Sequence, residues 1–148
     1  MTKTNKLFAE ALSDTRSGVE CARLRLRSLK ANRRKLNRIG SLLIAAMAEG
    51  TEDEVQYTSP SSVYCTVNNL DSFKDFRLEM ILNALENITT GANRTRDWPD
   101  SLNRDYHYMV DDIAVTVAAY VKSNSPTCRK VLVGTEMVTQ EKWEIRCD

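Results

Sequence analysis

The residues best suited to chemistry are few and scattered. The single histidine, His107, stands between Tyr106 and Tyr108 in a stretch patterned as a strand. A lone imidazole with no second histidine or C-x-x-C pair nearby is a poor start for zinc, which takes four ligands at characteristic spacings. The four cysteines, Cys21, Cys65, Cys128 and Cys147, lie far apart in the chain. No apolar export segment follows Met1, so reduced thiols in a cytoplasmic protein are expected (host cytoplasm for a phage-encoded chain). Cys65 alternates with Val63 and Val67 and reads as a buried small hydrophobe. Asp111-Asp112 places two carboxylates side by side, but acids between two strand-like runs read more simply as a turn. There is no G-x-x-x-x-G-K-[ST], G-x-G-x-x-G or G-x-S-x-G, and five glycines leave little to build a phosphate loop from. The expectation is a protein with no catalytic residues, no metal site and no cofactor.

The formal charge of +1 conceals a division. Residues 1–50 carry 11 basic and 4 acidic side chains, net +7, and residues 51–148 carry 10 and 16, net −6. Two regions follow: a basic helical, oligomerising segment over 1–50 and an acidic α+β domain over 51–148.

In the first region, positions recur at alternating spacings of four and three: Phe8, Leu12, Thr15, Val19, Ala22, Leu26, Leu29, Arg33, Leu36, Gly40, Leu43 and Met47. That is the seam of a coiled coil or of a helix laid lengthwise on a partner. Ser17-Gly18-Val19-Glu20 also fits a capping box, so a break there competes with one continuous helix. The seam keeps its phase across the glycine, which favours continuity. Gly50 reads as the stop. Arg33, a charge on the seam, is expected to set register or meet a carboxylate. The cluster Arg23, Arg25, Arg27, Lys30, Arg34, Lys35 and Arg38 would face either phosphates or an acidic protein.

In the second region, Val55–Thr58 and Val63–Asn68 read as strands. A helix over 71–88 is expected, capped by Asp71 or Ser72, with Phe73, Phe76, Met80, Ile81, Ala84, Leu85 and Ile88 as its apolar stripe. Residues 91–105 read as an interaction loop presenting Arg94, Arg96 and Trp98. Strands over Asp105–Val110, Ile113–Lys122, Cys128–Val138 and Glu141–Cys147 would follow as a meander, with a turn at Thr139-Gln140. Ile113, Val115, Val117, Ala119 and Val121 would face the core. The fold class is therefore α+β: a long amphipathic, coiled-coil-like helix, then a mostly antiparallel sheet with one helix packed on it. The basic helix would cover the sheet's other face or leave the domain altogether.

The longest apolar run, Leu42–Ala48, is too short to span a bilayer, so no membrane partner is expected. The function these features imply is a non-catalytic, homo-oligomeric interaction or regulatory protein with a protein partner besides itself. A phage or mobile-element accessory protein acting on a host protein fits that organisation. The alternative is a nucleic-acid-binding regulator that lays Arg23–Arg38 along phosphates.

Overall fold

The computed structural model describes residues 3–136 and 140–148, with side-chain surroundings for 7–133 and 143–148. Helix α1 runs without interruption over Lys3–Ala46. Gly18 has open space around it and Ser17 lies inside the helix, so the capping box does not act as a boundary. One mid-helix glycine costs about 1 kcal/mol, too little to break a 44-residue rod. The helix ends at Ala46, and Gly50 takes φ +74° in the turn beyond.

Strands β1 (Glu54–Ser59), β2 (Ser62–Leu70), β3 (Arg94–Trp98), β4 (Asn103–Val110) and β5 (Ile113–Val121) form one sheet in the order β1-β2-β5-β4-β3. Among the described residues, only β2 and β5 pair in parallel. The sheet is therefore mostly antiparallel and the α+β class holds. Helix α2 (Phe76–Glu86) lies in the crossover between the parallel strands. Its N-cap is Asp75, which accepts from the Arg77 amide at 2.9 Å. Ser72, expected as a cap, instead accepts from the Lys74 amide in the preceding turn. Starting at Asp75 sets the phase, so Leu78, Ile81 and Leu85 point inward while Phe76 and Met80 are exposed.

The expected meander is two separate hairpins. β4 and β5 pair in the large sheet, whereas β6 (Cys128–Glu136) and β7 (Gln140–Cys147) form their own two-stranded sheet. Met137–Thr139 lie outside the described residues, so the turn expected at Thr139-Gln140 and the end of the strand at Val138 do too. The hairpin closes onto the large sheet through Asp97, whose carboxylate accepts from the Ile145 amide at 3.2 Å and from Arg104 at 2.6 and 3.1 Å.

Alternation sorts the sheet into two faces. Val63, Cys65, Val67, Val115, Val117 and Ala119 are buried under Leu36, Ile39 and Leu43 of α1 and Leu78, Ile81 and Leu85 of α2. Tight approach of α1 to β1 depends on Gly40. The Tyr57 hydroxyl rests against it and donates to the Leu36 carbonyl at 3.1 Å, leaving no room for a Cβ. The opposite face carries Tyr64, Thr116, His107, Tyr120 and, on β3, Arg94, Arg96 and Trp98. None of these is buried, and α1 and α2 both lie on the other side.

Candidate interaction surfaces

The residues that could do covalent or metal chemistry stay apart. Among the described residues, no group of three or more His, Cys, Asp or Glu side chains converges as a metal site would need. Cys65 is buried; desolvation, reinforced by nearby Asp53, pushes its thiol up to about 12, so it holds its proton at neutral pH. His107 Nδ1 lies 3.2 Å from the Thr116 hydroxyl. Asp111 and Asp112 both take left-handed backbone, φ 48° and 66°, as the two-residue loop of a tight hairpin demands.

Cys128 and Cys147 are not the reduced thiols expected. They form a disulfide, because the β6–β7 register sets them directly opposite one another with Cα atoms 4.2 Å apart. The sequence separation of 19 hid a pair that becomes adjacent only when the hairpin closes. Cys21 and Cys65 are free. Among the described residues, no helix is long and apolar enough to cross a membrane.

Helix α1 is divided by its surroundings. From Leu29 onward it belongs to the domain: Leu36, Ile39, Gly40 and Leu43 are buried, with Leu29, Ala46 and Met47 partly so. Arg33 is exposed and needs no buried counter-charge. Its neighbour Asn32 takes the inward place and donates to the Pro60 carbonyl at 2.8 Å. The seam residues Leu29, Leu36, Leu43 and Met47 are thus spent within the chain. Phe8, Leu12, Val19 and Leu26 remain uncovered, and every described residue from 7 to 28 is exposed. That stretch of 22 residues spans about 33 Å.

The basic cluster is open as well. Arg38 reaches Asp111 at 3.4 Å, a surface pair of small value. Among the described residues, Arg23, Arg25, Arg27, Lys30, Arg33, Arg34 and Lys35 have no carboxylate within 4.0 Å.

Arg94, Arg96 and Trp98 lie not in a loop but on edge strand β3, at alternate positions and so on one face. The segment Arg-Thr-Arg-Asp-Trp lacks apolar alternation because its inward side is held by the Asp97–Arg104 pair rather than by hydrophobic contact. On the open side, the Arg96 guanidinium stacks over the Trp98 ring at 3.9 Å, and Trp98 Nε1 donates to Asp105 at 2.8 Å. Register places Arg94 across from His107, His107 from Thr116, and Thr116 from Tyr64. Tyr64 holds its phenolic proton firmly, through desolvation first and then its hydrogen bond with Tyr120. Sequence patterning marked Arg94, Arg96 and Trp98 but missed their continuation through His107, Tyr64 and Tyr120. Only the strand order brings them into one surface.

No protein-family model matches the chain, and no curated protein or solved structure matches it either.

Proposed function

We propose that this is a non-catalytic interaction protein that assembles with further copies of itself through the projecting stretch of α1. One observation carries the reading. Leu7, Phe8, Leu12, Val19, Leu24 and Leu26 are between 40% and 71% exposed on a single helix that its own domain does not cover. Full burial of such a side chain is worth about 1.5–3 kcal/mol, and roughly half of that is still to be gained at each, which summed over six gives the helix a drive to find a partner. Charge narrows the choice of receiving surface. Arg16, Arg23, Arg25 and Lys30 stand immediately beside the seam positions Thr15, Ala22, Leu26 and Leu29. In a simple two-stranded coil these flanking positions would meet like charges. An acidic surface suits them, and residues 51–148 of a second copy, at net −6, supply one.

Sedimentation velocity and light scattering at tens of micromolar test this. A multimer is expected that Leu12→Asp with Leu26→Asp converts to monomer and that high salt loosens. Both positions are exposed in the single chain, so the variant's urea midpoint should match that of wild type diluted to monomer. A wild-type monomer refutes the proposal.

A second reading rests on the basic stretch from Arg23 to Lys35, which has no carboxylate partner among the described residues and whose charge suits phosphates as readily as an acidic protein. Duplex binding at low salt that vanishes when Arg23, Arg27, Arg34 and Lys35 become Glu supports it; no binding at low salt removes it.

A further inference from the structure

The open face of the five-stranded sheet has features that α1 does not explain. Across its middle run Tyr64, Thr116, His107 and Arg94, one residue from each of β2, β5, β4 and β3. The next rows add Asp105 beside Arg96, and Tyr120 beside Asn103 and Trp98. Four rings thus lie on one surface about three strand spacings wide, roughly 14 Å. Ala118, in the centre, is fully buried although no helix covers it, so larger neighbours close over it as a flat floor. Two shallow depressions adjoin His107. One of about 400 Å³ is lined by Arg94, Thr95, Arg96 and His107, and a smaller one is bounded by Ala92, Arg94, His107 and Thr116.

The charges on this face are sorted. Asp105 is occupied by Trp98 Nε1 and by Asn103 Nδ2, at 2.8 and 3.2 Å. Arg94 makes no contact with a carboxylate among the described residues, and Arg96 meets only the Trp98 ring. One guanidinium without a carboxylate partner, that of Arg94, and one laid on the Trp98 indole, that of Arg96, therefore rim a platform of rings. Bulky aliphatic side chains are rare there, which argues against an apolar protein surface as the occupant.

We infer that this face binds single-stranded nucleic acid, with bases lying on Tyr64, His107, Tyr120 and the Arg96–Trp98 stack and phosphates meeting Arg94. Stacking needs free base faces, which a duplex does not offer, and is indifferent to sequence because every base has one. The Arg94 guanidinium at the edge supplies the anion contact, and Arg96, 3.9 Å over the Trp98 ring, offers its own plane to a base. The inference is independent of self-association through α1.

Fluorescence anisotropy on the full chain, with labelled 12-nucleotide oligouridylate and oligothymidylate, provides the test. The chain with Arg23, Arg27, Arg34 and Lys35 all changed to Glu separates the sheet from the helix, and this variant should still bind. In it, His107→Ala and Trp98→Ala should each weaken binding about fivefold or more. Arg94→Ala, at an exposed position, should weaken binding and reduce the salt slope by about 0.7. Urea midpoints check that each variant is folded. Absence of binding to either oligomer overturns the inference. So does binding lost with the helix charges alone, unchanged affinity in Arg94→Ala and His107→Ala, or tighter binding of a polyglutamate peptide than of the oligonucleotides.

Discussion

Replacing Asp97 by Ala should release the β6–β7 hairpin from the sheet. The Asp97 carboxylate gathers three hydrogen bonds, two from Arg104 and one from the Ile145 amide, so one residue fastens β3 to both β4 and β7. Its side chain is 20% exposed and that of Arg104 27%, so water partly screens the pair. A hydrogen bond to a charged group contributes about 1.5–3 kcal/mol, and losing one partner of a fully buried pair costs about 3–5. With partial exposure discounted, the loss should be about 2–3 kcal/mol, or about 5–10 °C in Tm for a chain of this size. The pH dependence gives a second handle. Burial alone would raise the Asp97 pKa, but Arg104 and the Ile145 amide outweigh it and hold the carboxyl below its ordinary value. A group whose folded pKa is depressed contributes fully above its unfolded pKa, about 3.9, and loses that contribution as pH falls through the folded value. The stability gap between wild type and Asp97→Asn should thus be constant near neutrality and narrow as pH drops below about 4. Urea unfolding followed by circular dichroism at a series of pH values measures both effects. A cost under about 0.5 kcal/mol, or a gap unchanged in acid, would refute this account of the junction.

Other outcomes follow from the same geometry. Gly18→Ala, placed in open space on an unsupported helix, should raise helical stability by about 1 kcal/mol, visible as increased ellipticity; a decrease would mean that the glycine serves a close approach in an assembly. Thiol titration should find Cys21 reactive in the native chain, Cys65 reactive only on unfolding, and Cys128 and Cys147 reactive only after reduction, whereas four thiols without reductant would exclude the disulfide. Reduction should lower stability by about 3 kcal/mol, as expected for a closed loop of this length, readable as a shifted urea midpoint. Leu43→Ala, at full burial between helix and sheet, should cost about 2–5 kcal/mol, while Leu12→Ala should leave the monomer's stability within about 0.5.

Much of the fold was legible in the sequence because burial writes a period into it. The seam from Phe8 to Met47 marked α1, and Val115, Val117 and Ala119 marked the core side of β5. The same signal did not say which part of the seam is covered, since a helix shows the same spacing whether its partner is its own domain or another chain. Phe76 and Met80 misled the phase of α2, because exposed apolar residues look like buried ones until the cap is known. β3 was silent for the opposite reason: it is held by charge and backbone hydrogen bonds, so no hydrophobic alternation announces it.

The candidate surfaces divide along that same line. The exposed helix is a local feature, and the 22 residues from 7 to 28 declare it by sequence alone once the domain is known to begin at Leu29. The open sheet face is non-local. Tyr64 and Arg94 are thirty residues apart in the chain, yet register through β5 and β4 puts them in one row. Such a row leaves no periodic trace, for its members are aromatic, polar and charged by turns. What makes it conspicuous in three dimensions is the asymmetry of cover: both helices and the β6–β7 hairpin meet the inner side. One side of the sheet is closed by three elements and holds the core, while the other carries rings, Arg94 without a carboxylate partner among the described residues, and Arg96 laid on Trp98.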